Sequence, residues 1–473
     1  MRAPLSLLAM PPPTFVAETA PLSFDVLRQR EFSRLDAGLH TYLDYTGAGL
    51  YPESLVRRHA ELLLREVFGN PHSANPTSTR STALLHECRR RVLSFFNASP
   101  DEYAVVFTAN ASKALKLVGE SYAFQPGDRL LLTFDNHNSV LGIREFARAG
   151  GVQAEYVPII PPDMRVTEDR LFAALDARAA GDGRRLFAYP AQSNFSGVQH
   201  PLEWIAQAQA LGWDVLLDAA AFVPTNRLDL GRWHPDFVAL SFYKMFGYPT
   251  GVGALLVRHA ALERLHRPWF AGGTITIASV QADRHYLAPG GAAFEDGTPD
   301  FLAIPGVALG LEFMDAIGVD AIHDHVLSLA APLLEGLLSL NYFDGQPLVA
   351  VYGPASMDRR GASISFNFRR RDGREVDPLL VERLASRERI SLRTGCFCNP
   401  GAGEVSLGLS KTELDVCFLR GPRRMSFNDF RRCIAGKGSG AVRVSLGMAS
   451  NMEDVGRLLA FARTFLDTDD VSD

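Results

Sequence analysis

Between residues 77 and 257 short apolar runs alternate with stretches whose apolar residues recur at helical spacing, the pattern of an α/β unit. The runs cover residues 103–108, 129–134, 153–157, 186–189, 215–218, 237–242 and 252–257. Each is short and bounded by turn residues, as expected of strands buried on both faces of a sheet. A helix is predicted over 78–96, with Leu84, Leu85, Cys88, Val92 and Phe95 on its apolar face and a stop at Asn97-Ala98-Ser99-Pro100. Further helical stretches at 112–122, 139–149 and 202–211 lie between runs. Crossovers of this kind predict a mostly parallel central sheet with helices on both faces.

Past residue 320 the pattern changes. A helix at 320–340 precedes strand-like runs at 348–352 and 362–368, a helix at 378–388, a strand at 441–446 and a helix at 451–466. These predict a smaller C-terminal α+β domain. The expected organisation is a disordered leader (1–20), a large domain (21–325) whose first segment packs toward the small one, and a small domain (326–473). The leader MRAPLSLLAMPPP has too short an apolar run for a signal-peptide core. The Arg- and Gly-rich stretch 419–439 reads as a surface loop.

Composition narrows the function class. The chain has 473 residues, 48 basic against 53 acidic, for a net charge of −5. That balance gives no basic footprint for nucleic acid or anionic membranes, and no run reaches the ~18 to 20 apolar residues of a membrane span. A cytoplasmic protein acting on small molecules is expected. Five cysteines (Cys88, Cys396, Cys398, Cys417 and Cys433) are too sparse and uneven for a disulfide framework. Cys396-Phe397-Cys398 lacks the spacing of a metal pair, so no metal is expected.

Asp218 ends an apolar run, where a carboxylate faces the crevice in which α/β sheets bind ligands; it is equally a cap or turn residue. Lys244 follows the run ending at Phe242 and is either a solvated loop residue or a reactive amine. Together, a lysine that condenses with an aldehyde and a carboxylate that keeps a pyridine nitrogen protonated describe an electron-sink cofactor site. The segment Phe107-Thr108-Ala109-Asn110-Ala111-Ser112 enters a helix start that suits a phosphate, or is simply capped by Asn110 or Ser112. His137 follows the next run and either lies on the cofactor ring or is a polar surface residue.

Asp218, Ser241-x-x-Lys244, the FTANAS segment and RTGCFCNPG at 393–401 resemble the class V aminotransferase superfamily of fold-type I pyridoxal-5'-phosphate (PLP) enzymes. Within it the chain is similar to the cysteine-desulfurase-like domain of molybdenum cofactor sulfurases. The similarity includes YLDYTGAG at 42–49, GNPHS at 69–73, PAQSNFSG at 190–197, FEDGTP at 294–299 and AVRVSLG at 441–447. It implies the PLP-dependent transferase fold type I.

The resemblance also implies roles. Lys244 would hold the cofactor and move the Cα proton, Asp218 would pair with the pyridinium, His137 would stack on the ring, and Asn194 would touch the phenolic oxygen. Ala111, Ser112 and Ser241 would seat the phosphate, joined by Thr298 from the second subunit of a homodimer. Tyr243 replaces a phosphate-binding His of many desulfurases, and Ala221 a Gln. Arg443 would grip the carboxylate of L-cysteine or a cysteine derivative, with Asn194 and Arg393 beside it. Cys398 would receive the sulfur as a persulfide and pass it to an acceptor. Arg393 either favours the Cys398 thiolate or is a structural ion-pair partner, and Cys396 either assists or packs. Eukaryotic sulfurases carry a further C-terminal domain that this chain, ending at Asp473, does not include, so the acceptor stays open. Two rivals remain: a C–S lyase or transaminase that ignores Cys398, and a scaffold with no catalysis.

Overall fold

The computed structural model describes residues 23–176, 183–420, 425–426, 429, 432–434 and 440–466. The predicted leader and most of 419–439 lie outside them. The seven apolar runs become strands β1 (Tyr103–Thr108), β2 (Arg129–Thr133), β3 (Ala154–Val157), β4 (Arg185–Pro190), β5 (Asp214–Asp218), β6 (Phe237–Ser241) and β7 (Gly253–Arg258). They form one sheet in the order β1-β7-β6-β5-β4-β2-β3. All neighbours are parallel except around β7, which runs antiparallel to both β1 and β6. Periodicity alone carries no strand direction, and the short connection from β6 to β7 leaves no room for a crossover.

Every residue of β5 from Val215 to Asp218 and every residue of β6 is buried, as expected of central strands. The edge strand β3 exposes Glu155 and Tyr156, so its two faces are not both covered. Helix α1 (Pro76–Phe95) carries Leu84, Leu85, Cys88 and Val92 inward and starts at Asn75, whose side chain accepts from the Ser78 N–H. Helix α2 (Ala111–Ser121) follows β1 and packs on β6 and β7. The predicted helix at 139–149 is two pieces, Asn138–Leu141 and Ile143–Ala149, broken at Gly142.

The C-terminal strands β8 (Val349–Tyr352), β9 (Ser363–Phe368), β10 (Arg393–Gly395) and β11 (Ala441–Ser445) make an antiparallel sheet in the order β8-β9-β11-β10. It is flanked by α4 (Val319–Leu338), reached from α3 (Ile304–Ile317), and by α5 (Pro378–Arg387) and α7 (Met452–Arg463), with the short α6 (Pro400–Ser406) after Cys398. The segment near the start of the chain joins this side. Thr41–Tyr42 pairs in parallel with Ile390–Ser391, and Arg28 forms an ion pair with Asp454 at 2.6 Å.

The exposed hairpin Ile275–Ser279 with Arg284–Leu287 has no counterpart in the reading of the sequence, because none of its residues is buried and so no core-facing pattern marks it. One expectation is corrected. Cys417 and Cys433 are joined in a disulfide, although the count of cysteines argued against pairing. Parity describes a framework and is blind to one local bridge. Cys88, Cys396 and Cys398 are free thiols.

Candidate active site

The carboxyl ends of β4, β5 and β6 open on one cavity. It is lined by Lys244, Asp218, His137, Asn194, Ala111, Ser112, Ser241 and Tyr243, together with Asn110, Ser139, Gln192 and Ala221. Eight residues singled out in the sequence from five separate segments therefore meet in one place.

Lys244 sits on a single helical turn, Phe242–Phe246, that follows β6 directly and is ended by Gly247 in the left-handed region (φ 75°). A Cβ on Gly247 would lie 2.3 Å from the Tyr51 backbone nitrogen, and one on Gly49 would lie 2.8 Å from the Lys244 carbonyl oxygen. Close backbone packing fixes the turn. Dehydration holds the Lys244 ammonium below its ordinary range, Arg443 adds to this, and Asp218, Asp44 and Cys398 oppose it. A neutral amine is the form that condenses with an aldehyde.

Asp218 is nearly buried, with Oδ1 accepting from the Ala220 N–H at 3.1 Å. His137 caps the Asn138–Leu141 turn, its Nδ1 accepting from the Ser139 N–H at 3.1 Å. Burial pulls its imidazole below the ordinary value, with Asp218 opposing and Lys244 and Arg443 assisting. At neutral pH the ring facing the cavity is uncharged.

The anion seat is the start of α2. Asn110 caps it by accepting from the Lys113 N–H at 3.0 Å, the Ala111 N–H donates to Ser241 Oγ at 2.8 Å, and the Ser112 and Ser139 hydroxyls touch at 2.5 Å. Gly253 of β7 lets this turn sit down on the sheet, since a Cβ there would lie 2.5 Å from Asn110 Cα. Hydroxyls and N–H groups at a helix start, an amine and a carboxylate in one cavity are the donor set that a phosphorylated pyridine aldehyde requires. The residues fit that cofactor.

Cys398 is outside the cavity wall but tied to it. Phe397 and Cys398 both have positive φ (53° and 55°), a strain of roughly 1–2 kcal/mol each for side-chain-bearing residues. Hydrogen bonds hold the pair. Asn194 Nδ2 donates to the Phe397 carbonyl at 2.7 Å, and the Asn138 N–H donates to the Cys398 carbonyl at 2.6 Å. Asn399, fully buried, donates to the Asp135 carbonyl at 2.6 Å and to Asn194 Oδ1 at 3.0 Å. The Phe397 ring turns inward onto Phe195 (5.2 Å) and the Arg443 guanidinium (4.6 Å). Exposed Cys398 and half-buried Cys396 face an outer cavity with Glu404, Leu407, Phe418 and Met425. Burial, then Glu404 and Cys398, push the Cys396 thiol up.

Arg443 is buried on β11 and donates to the Asn194 carbonyl at 2.8 Å and to Asp44 Oδ1 at 3.0 Å. Burial lowers it to about 10, so it stays charged at neutral pH. Arg393, half exposed, is paired with Asp44 through Nε at 2.9 Å. Asp44 and Asn399 were not singled out from the sequence. Both lie inside quoted motifs, YLDYTGAG and RTGCFCNPG, but nothing in those strings says which polar residue turns inward. Thr298 is not brought to the cavity of its own chain; it lies in a separate cleft with Thr108, Lys113, Glu295 and Asp296.

The chain is 37% identical to the molybdenum cofactor sulfurase of Arabidopsis thaliana, over 93% of this chain and 58% of that protein. It is 38% identical to that of Bos taurus, over 92% and 51%. The chain thus spans between half and three fifths of the length of these relatives. In fold it is similar to an apo cysteine desulfurase from Thermococcus onnurineus NA1 (TM-score 0.75, 24% identity, covering 93% of this chain and 97% of that one). It is also similar to a cysteine desulfurase from Escherichia coli (TM-score 0.74, 21% identity, 95% and 99%). The family model for aminotransferase class V matches residues 41–458, which include every cavity residue and the cysteine loop, and so this chain belongs to the class-V aminotransferase family.

Proposed function

We propose that the chain is a PLP-dependent cysteine desulfurase that moves sulfur from L-cysteine, or a cysteine derivative, to an acceptor by way of Cys398. The observation that carries this reading is the tie between Asn194 and the residues on either side of Cys398. A free thiol is held beside the cofactor cavity by a residue of the cavity wall, an arrangement that a lyase or a scaffold does not need.

Bound PLP would supply an electron sink for negative charge at the substrate Cα. The residues around it have separable tasks. Ala111, Ser112, Ser241 and Tyr243 would hold the phosphate end, and Asp218 would keep the pyridine nitrogen protonated. His137, its imidazole held uncharged by burial, would lie against the ring. Lys244, whose burial favours the uncharged amine, would take the Cα proton. Arg443 orients the substrate carboxylate. The Cys398 thiolate attacks the substrate sulfur; the S–S bond forms as the C–S bond breaks, its electron pair staying with the substrate carbon, which is protonated and leaves as alanine. The position of Thr298 outside its own chain's cavity supports a homodimer in which each copy completes the other's phosphate site. Among the described residues no helix is long and apolar enough to cross a membrane. The similarity to molybdenum cofactor sulfurases makes that cofactor a candidate acceptor.

The test is product analysis with PLP, L-cysteine and a thiol reductant, beside Cys398→Ala. Alanine and sulfide from the parent, lost in the variant, are expected. Pyruvate and ammonia from both would overturn the reading in favour of a C–S lyase.

A further inference from the structure

Ser139 belongs to two groups at once. It is the second residue of the turn Asn138–Leu141, and it lines the cavity that holds Lys244. Its backbone N–H donates to His137 Nδ1 at 3.1 Å. Its Oγ lies 3.1 Å from the same nitrogen and 2.5 Å from Ser112 Oγ. The two hydroxyls come from segments 27 residues apart and meet at the start of α2.

A neutral imidazole accepts at one nitrogen and carries its proton on the other. The Ser139 N–H, whose direction the turn fixes, takes the acceptor site at His137 Nδ1. The neutral ring therefore carries its proton on Nε2, and the Ser139 hydroxyl is not needed at Nδ1. Ser112 and Ser139 then hold two O–H protons between them. One closes the contact between their oxygens, and the other is left for an acceptor in the cavity.

The helix start beneath them leaves a matching donor. The Ala111 N–H goes to Ser241 Oγ and the Lys113 N–H to the Asn110 side chain. The Ser112 N–H has no partner among the described residues. Hydroxyl and N–H donors that converge with no acceptor between them suit an anion with several oxygens.

We infer that Ser139 is a phosphate-binding residue of this cavity, its hydroxyl donating beside that of Ser112 while its backbone N–H occupies His137 Nδ1. The inference rests on the reading of the cavity as a PLP site and adds to it a donor from outside α2 and the Lys244 turn. The residue that seats the phosphate is then the one that also holds His137 in place.

The experiment titrates the cofactor-free full chain with PLP and with pyridoxal, which lacks the phosphate, and follows absorbance. Ser139→Ala removes the hydroxyl and keeps the N–H to His137. It is expected to weaken PLP binding roughly tenfold, as the loss of one hydrogen bond to a charged group predicts, and pyridoxal binding by less than about twofold. Equal losses for both ligands, as a purely structural role would give, overturn the inference, and so does an unchanged affinity for PLP. Should Ser139→Ala not fold, Ser139→Asp decides, since aspartate suits the first turn of a helix and sets a negative charge against the phosphate. A loss confined to PLP supports the inference there, and equal losses overturn it. A parent that binds neither ligand removes the PLP reading. Inorganic phosphate, followed by the width of its phosphorus NMR line, then decides: weaker binding to Ser139→Ala than to the parent supports the role of Ser139, and no difference or no binding overturns it.

Discussion

Asn194 lines the same cavity as Lys244 and donates through Nδ2 to the carbonyl of Phe397 at 2.7 Å, one residue before Cys398. Its Oδ1 accepts from Asn399, one residue after Cys398, at 3.0 Å. The loop is therefore gripped on both sides of the thiol by one amide. Asn399→Ala removes the donor to Asn194 and to Asp135, two buried hydrogen bonds worth about 1–3 kcal/mol each. Persulfide formation is expected to slow roughly ten- to a hundredfold, while the visible absorbance of the bound cofactor is unchanged. Single-turnover release of alanine measures the first and a spectrum the second.

Gly253 is tight for a reason that lies across the sheet. A methyl group there would press on Asn110 Cα and carbonyl carbon at 2.5 and 2.6 Å, displacing the turn that seats the phosphate. Overpacking costs on the order of 1–3 kcal/mol, and Gly253→Ala is expected to weaken PLP binding about tenfold, read by titrating absorbance.

The free thiols should separate by reactivity. Cys88 is fully buried, and burial pushes it up to about 12. Cys396 is half buried and raised, whereas Cys398 is exposed. Maleimide labelling at pH 8 is expected to mark Cys398 first, Cys396 more slowly, and Cys88 only in denaturant. Peptide mapping without reductant should recover Cys417 and Cys433 linked.

Acid should destabilise the fold in a defined window. His59, His137 and His325 are all held below their ordinary value, chiefly by burial. The unfolded chain binds their protons first as pH falls, so this contribution to stability is present above about 6.5 and shrinks as pH drops toward the folded values. Tm measured from pH 8 to 5.5 is expected to fall through the lower half of that range. A flat profile there would contradict it.

Arg28 and Asp454 are both nearly buried and paired at 2.6 Å, with Arg28 also donating to the Ala449 carbonyl at 2.6 Å. Arg28→Ala leaves Asp454 without its charge partner and is expected to cost about 3–5 kcal/mol, measured by denaturant unfolding.

The strands of the large sheet were legible because each is a short apolar run between turn residues, and Asp218 and Lys244 because one closes such a run and the other follows one directly. Direction was not. Nothing in Gly253–Arg258 distinguishes a parallel from an antiparallel strand, since both faces are buried either way. Asp44 was illegible for a different reason. Its meaning lies in two arginines far along the chain, and a local string of residues carries no record of that. Cys417 and Cys433 show the same limit at shorter range, because cysteine spacing alone did not show that they pair.

The Asp44 carboxylate lies 349 residues before one of its arginines and 399 before the other. During synthesis from the N-terminus, the segment that holds it must wait for almost the entire chain to emerge. The two cations reach neighbouring strands only at the end of synthesis, and there they meet a counter-ion made long before them. Closure of this site is thus a late event with a large loop-closure cost, and a chain cut short at residue 440 would carry the cysteine loop and Lys244 but lack Arg443 and its pairing with Asp44.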